Sequence, residues 1–294
     1  MPSHPLHEPV LAWYADHARD LPWRGPDAWP WGVLVSEVML QQTPVARVLP
    51  VWRRWIERWP APADLAAAEP GEAVREWGRL GYPRRALRLH AAAVEIVARF
   101  DGDVPADVDS LRSLPGVGSY TASAVAAFAF GRRHAAVDTN VRRVQARAVT
   151  GVALPARSLT ARETALAESL LPDDAPVSAS WGVAVMELGA LVCTARSPRC
   201  PQCPVVDRCA WRLAGAPPDN GPVRRRQAWA GTDRQARGAL LSVLREAPSS
   251  VGPARLAAAW DDALQRERCL DSLVADSLVE PLGDGRFRLP VRRP

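Results

Sequence analysis

Cys193, Cys200, Cys203 and Cys209 follow one another in the pattern C-x6-C-x2-C-x5-C. Four thiolates crowded so closely suit a tetrahedral zinc ion or an iron–sulfur cluster, since both need deprotonated sulfur at short range. Cysteine-rich zinc sites usually show two C-x2-C pairs, and this ladder has one, which favours a four-iron cluster while spacing alone leaves zinc open. Disulfides come third, because no apolar leader opens the chain and a reducing cytoplasm is the expected compartment. The fifth and last cysteine, Cys269, reads as a small core residue.

A second kind of chemistry is written into Val33-Leu34-Val35-Ser36-Glu37-Val38-Met39-Leu40, an apolar run with one carboxylate in its middle. Buried in such a helix, Glu37 would have a raised pKa and, kept protonated, would be a general acid; on an amphipathic helix it would instead be a surface glutamate. Gln41-Gln42-Thr43-Pro44 closes the run with polar groups that either probe a groove or cap a turn. Further on, Asp138 stands between a short apolar stretch and a helix opened by Thr139 or Asn140. It serves as an N-cap, as a reactive carboxylate oriented by Asn140, or as both.

Positioning these groups falls to helices. Apolar spacing predicts helices over Pro5–Ala18, Trp31–Gln42, Val45–Arg58, Gly71–Arg79, Arg84–Phe100, Leu159–Leu171 and Ser178–Val192, with proline-rich joints at Pro60, Pro62, Pro70 and Pro83. Trp52, Trp55 and Trp59 share one helix face and belong in the core. Leu21-Pro22-Trp23-Arg24 breaks the first helix, and Trp23 there either anchors the core or lines a pocket. Within 107–131, two apolar helices flank Pro115-Gly116-Val117-Gly118. The two glycines permit a sharp turn that aims backbone N–H groups at a phosphate without reading base sequence. Leu80-Gly81-Tyr82-Pro83 is a tight joint that carries an aromatic suited to wedging between bases or to packing. Arg142, Arg143 and Arg147 are expected on a basic face, solvated or turned toward DNA.

The whole chain has 294 residues, 48% of them hydrophobic, and a net charge of +5 with a pI near 9.3. It is globular and compatible with nucleic acid. All 37 basic residues are arginine. Without a lysine, no side-chain amine exists for Schiff-base catalysis. The longest apolar runs, such as 122–130, are too short to span a bilayer.

Five motifs stand in order: Leu-Pro-Trp-Arg at 21–24, Ser-Glu-Val-Met-Leu-Gln-Gln-Thr at 36–43, Leu-Pro-Gly-Val-Gly at 114–118, Val-Asp-Thr-Asn-Val at 137–141, and the cysteine ladder. Together they resemble the helix-hairpin-helix, iron–sulfur adenine DNA glycosylases of the MutY type. The resemblance covers about two thirds of the chain. It implies a mainly α, two-lobed fold with DNA and an extruded base between the lobes, and a [4Fe–4S] cluster on Cys193, Cys200, Cys203 and Cys209. It makes Glu37 the general acid on the adenine ring and Asp138 the carboxylate that stabilises an oxocarbenium-like sugar, with Tyr120 and Asn140 beside them. Tyr120 occupies the place where strand-cleaving relatives of the endonuclease III type carry a nucleophilic lysine. Trp23, Arg24, Leu40 and Glu187 would surround the adenine. Gln42, Thr43, Leu80 and Tyr82 would probe or wedge beside the opposite 8-oxoguanine, and Gly116, Val117 and Gly118 would hold the DNA backbone.

Two departures from that pattern are evident. The family's usual tyrosine pair is Tyr82-Pro83 here, and its long β-rich, Nudix-like reader of 8-oxoguanine has no counterpart of sufficient length. The expected organisation is a catalytic domain over 1–216 with its cluster loop at 193–209, a linker over 217–231, and a small winged-helix-like α+β domain over 232–294. That tail reads as helices over Thr232–Glu246, Pro253–Trp260 and Ala263–Asp276, then a hairpin of Leu278–Leu282 and Arg286–Leu289 around Gly283-Asp284-Gly285. The expected activity is monofunctional excision of adenine opposite 8-oxoguanine, and opposite guanine as well, by a cytoplasmic monomer that joins the nucleoid when bound to double-stranded DNA and has no membrane partner. The competing readings are a thymine or uracil mismatch glycosylase and a non-catalytic, cluster-containing DNA-binding regulator.

Overall fold

The computed structural model describes residues 4–25, 27–219, 221 and 229–292. Helices dominate, and the chain gathers into two compact units. One unit comprises Met1–Glu37, Ala106–Ser113 and Val117–Val223; the other comprises Val38–Pro105, Leu114–Gly116 and Arg224–Pro294.

In the first unit the apolar faces of His7–His17, Thr139–Gln145 and Ala175–Leu191 converge. Val10, Trp13, Val141, Val144, Trp181, Ala184 and Leu188 form their shared core. Pro30–Leu40 is buried on all sides through most of its length, which explains its continuous apolar sequence. Thr139–Gln145 begins at Asp138, whose side chain accepts from the backbone N–H groups of Asn140 and Val141. It runs on into a π-helical turn at Ala146–Thr150.

The second unit is built on Val45–Arg58, Pro70–Trp77 and Arg84–Arg99, with Trp55 stacked edge-on to Trp59 at 4.7 Å and to Trp77 at 5.7 Å. The tryptophan face is core, as its spacing predicts. Part of the joint between Pro60 and Pro70 forms a short helix of its own, Pro62–Ala67, opened by a proline in its first turn.

The tail folds as three helices, Asp233–Glu246, Pro253–Ala259 and Ala263–Ala275, followed by an antiparallel pair of short strands, Glu280–Pro281 and Phe287–Arg288. The paired stretches are shorter than the alternation suggested. Val251, before the second helix, bridges Phe287 from the far side. Cys269 is buried in this small core with Leu240, Leu244 and Leu273.

The tail packs onto Pro70–Trp77. Gly71 donates its N–H to Pro290 O at 2.8 Å, and a Cβ at Gly71 would lie 2.6 Å from that oxygen. Arg245 Nε donates to Val74 O at 2.9 Å, and Arg75 returns bonds to the carbonyls of Arg245 and Ala247. Most of the expected linker lies outside the described residues.

Candidate active site

Glu37 sits in the Pro30–Leu40 helix with 6% of its surface exposed. Burial pushes its carboxyl up to about 7; a hydrogen bond from Tyr120 and the charge of Arg24 pull the other way, while Asp138 pushes further up. The Tyr120 hydroxyl donates to Glu37 Oε2 at 3.0 Å. Tyr120 itself is held well above its ordinary range by burial and by the two neighbouring carboxyls, so it stays a neutral donor. Glu37, Tyr120 and Asp138 thus form one electrostatically coupled group.

Asp138 caps its helix and faces this group at once. Burial also raises its pKa, but three N–H donors favour its ionised form: Asn140 N at 2.8 Å, Val141 N at 2.7 Å and Asn140 Nδ2 at 2.7 Å. Asn140 has its amide fixed from behind, because Arg143 Nη2 donates to Asn140 Oδ1 at 2.7 Å. The same guanidinium donates to Gly189 O at 2.7 Å and Cys193 O at 2.6 Å. Gly189 has to be glycine, since a Cβ would meet Asn140 Cβ at 2.7 Å.

Glu187 is fully buried in the Ala175–Leu191 helix. Burial alone would raise its pKa, yet Arg19 and Arg24 overcome it and hold the carboxyl down at about 2. Arg19 binds it through Nε at 2.5 Å and Nη2 at 2.7 Å, and Arg24 through Nη1 at 2.6 Å. Arg24 and Glu187, expected together, do meet; Arg19 was not singled out from the sequence. Its only signal is a position shortly before the Leu21-Pro22-Trp23-Arg24 break. Trp23 is buried, and Leu40 lies partly exposed one turn beyond Glu37.

The basic face expected of Arg142, Arg143 and Arg147 does not exist as a surface. All three are at most 9% exposed. Arg142 pairs with Glu163 at 2.8 Å, and Arg147 donates to Thr194 O at 2.7 Å and toward Cys193 Sγ at 3.4 Å. Guanidiniums saturate loop carbonyls here, which periodicity cannot reveal.

Cys193, Cys200, Cys203 and Cys209 carry free thiols and line a single cavity with Arg147, Val192 and Trp211. Burial raises the Cys193 thiol, and burial with repulsion among the sulfurs pushes Cys203 up to about 11. Four thiolates are stable together there only with cations between them. All four thiols line that one cavity, and an all-thiol donor set of this size suits an iron–sulfur cluster.

In the second unit, Gln42 and Tyr82 are exposed, whereas Thr43 and Leu80 are buried and joined by Thr43 Oγ1 donating to Leu80 O at 3.3 Å. Both exposed residues take left-handed backbone, Gln42 with φ 56° and Tyr82 with φ 47°. At the hairpin, Gly116 has φ 81° and packs on Arg88, where a Cβ would lie 2.7 Å from the arginine's own. Val117 is buried; exposed Gly118 precedes Ser119–Phe130, and a Cβ there would enter open space. Only Gly116 is demanded by the turn itself, and Gly118 leaves room before the helix amides.

Residues 35–165 match the family model of the HhH-GPD superfamily base excision DNA repair proteins, and 193–209 match the iron–sulfur binding domain of endonuclease III. An adenine DNA glycosylase of Mycobacterium tuberculosis is 54% identical over 292 residues, covering 98% of this chain and 95% of its own. Among solved structures, a thermostable thymine-DNA glycosylase covers 70% of this chain and 94% of its own at TM-score 0.62 and 27% identity. A non-covalent endonuclease III–DNA complex covers 71% and 94% at TM-score 0.60 and 26% identity.

Proposed function

The chain belongs to the adenine DNA glycosylases, iron–sulfur enzymes of base excision repair that bind DNA and hydrolyse an N-glycosidic bond, and on that footing we propose that its substrate is adenine mispaired with 8-oxoguanine, with A:G as a second substrate. The observation that carries the mechanism is Glu37, held near pKa 7 and hydrogen-bonded by Tyr120, with Asp138 and its three N–H donors in the same group. Adenine departs poorly as an anion. Glu37 donates its proton to the adenine ring, and the glycosidic electrons leave with a neutral base. The sugar becomes oxocarbenium-like, and Asp138, whose three N–H donors favour its carboxylate form, stabilises that positive charge. Water adds to the sugar carbon, and the proton it releases restores Glu37 to its acid form. Tyr120 orients the acid and, being a phenol in a chain without lysine, forms no imine.

Arg24, Leu40, Trp23 and Glu187 shape the adenine pocket in this reading, with Glu187 buried as the fixed counter-charge that aims Arg24. Gln42, Thr43, Leu80 and Tyr82 probe the opposite base, and Gly116, Val117 and Gly118 hold a phosphate. The four cysteines ligate the [4Fe–4S] cluster, which supplies no step of the hydrolysis; the buried carbonyls and guanidiniums around it give the loop a fixed shape. The enzyme acts as a cytoplasmic monomer that joins the nucleoid through its DNA. Among the described residues no helix is long and apolar enough to cross a membrane.

Base release from A:8-oxoG, A:G, T:G and U:G duplexes by the full-length protein tests the substrate. Fastest release from A:8-oxoG is expected. Release confined to T:G and U:G would assign the chain to the thymine or uracil specificity instead, and tight duplex binding with no release would favour the regulator.

A further inference from the structure

Arg85 is the second residue of the Arg84–Arg99 helix and is 6% exposed, yet it pairs with no carboxylate among the described contacts. Its guanidinium is spent on carbonyls from two separate turns. Nη1 donates to Val38 O at 2.8 Å, Met39 O at 3.2 Å and Gln41 O at 2.6 Å. Nη2 donates to Thr43 Oγ1 at 3.2 Å and Gly81 O at 3.1 Å. The plane also lies over the rings of Trp77 at 5.3 Å and Tyr82 at 5.5 Å.

Carbonyls in the last turn of a helix have no partner within it, and here a buried cation takes them. The same cation reaches both sides of Gln42 and the carbonyl just before Tyr82, two strained residues, since neither is a glycine and both have positive φ. Such backbone persists only where its surroundings over-determine it. Thr43 Oγ1, also bonded to Leu80 O, completes the cross-link.

We propose that Arg85 is a positioning residue that locks the turns 41–43 and 80–82 into one rigid reader, and so sets how strongly the enzyme prefers 8-oxoguanine over guanine opposite adenine. This rests on the reading of Gln42, Thr43 and Tyr82 as the opposite-base probe. A planar fork with fixed donor directions is required: a lysine ammonium keeps the charge but cannot span acceptors on both turns.

The test is the ratio of adenine release from A:8-oxoG to that from A:G, measured for wild type, Arg85→Lys, Tyr82→Ala and the double variant, with circular dichroism and cluster absorbance as checks on folding. Arg85→Lys is expected to narrow the ratio roughly tenfold, the loss of one or two hydrogen bonds. The double variant should be little worse than the worse single one, because both act through the same turn. A ratio within about twofold of wild type in Arg85→Lys, alongside a narrowed ratio in Tyr82→Ala, would overturn the inference and leave the probe reading intact. An unchanged ratio in Tyr82→Ala would overturn the probe reading and the inference with it. If Arg85→Lys does not fold, Arg85→Gln is measured by the same criteria. Failure of both to fold would make Arg85 a determinant of the fold and refute the positioning role.

Discussion

Replacing Tyr120 with phenylalanine should move the pH profile of adenine excision in a direction set by one hydrogen bond. In the wild-type protein the Tyr120 hydroxyl donates to Glu37 at 3.0 Å and stabilises the carboxylate form, while burial pushes the acid up to about 7. A hydrogen bond to a charged group contributes about 1.5–3 kcal/mol, and one pKa unit corresponds to about 1.4 kcal/mol. Removing the hydroxyl therefore raises the Glu37 pKa by about one unit or more. In the proposed mechanism the protonated acid is the active form, so kcat/KM for the wild type should fall as pH rises through about 7, and the variant should hold its activity to a pH about one unit higher. In the same mechanism Asp138 governs the acid limb, which should move little because its N–H donors remain. Initial rates on an A:8-oxoG duplex from pH 5 to 9, with kcat/KM plotted against pH, measure this. An alkaline midpoint that stays put or shifts downward in Tyr120→Phe would refute the assignment of that midpoint to Glu37.

Glu37 also has a stability signature. Its folded-state pKa lies above the ordinary 4.5, so the folded protein binds the extra proton and stability drops between pH 4.5 and about 7, by about 3 kcal/mol at this site. Glu37→Gln should be more resistant to urea than wild type at pH 8, and loss of resistance there would contradict the buried-acid picture. Glu187 has the opposite sign: its pKa is depressed to about 2, so its stabilisation is present above pH 4.5 and disappears as pH falls toward 2. Arg24→Met leaves that buried carboxylate with Arg19 alone, and a destabilisation of about 3 kcal/mol is expected by urea titration at pH 7, against less than about 1 for an exposed pair. Gly71→Ala inserts a methyl group against Pro290 O and should loosen the tail, read as faster amide hydrogen exchange over 286–292. Unchanged exchange there would mean that the docked tail is not held through this contact.

The residues proposed to carry the chemistry are legible in the sequence because their meaning is local. A lone carboxylate in an apolar helix, an aspartate at a helix start with an asparagine two residues on, and four cysteines in a row all declare themselves within one element. The arginines do not. Arg19, Arg85 and Arg143 act on carbonyls or carboxylates far along the chain, and a polar residue that buries itself on distant backbone looks, in sequence, like one more surface charge. That is why Arg143 reads as part of a basic face and proves to be the residue that aligns Asn140. The tail shows the same limit: its three helices and hairpin follow from spacing, but its docking through Gly71 and Arg245 is a contact between remote backbones.

The most direct test of the account is single-turnover release of adenine from an A:8-oxoG duplex by Glu37→Gln at pH 7, set against wild type with binding of the duplex measured in parallel. Retained binding and a rate lower by about 10²–10⁴-fold are expected, the usual contribution of a positioned general acid. A rate within about threefold of wild type would contradict it, since proton donation by Glu37 would then not lie on the path to the transition state.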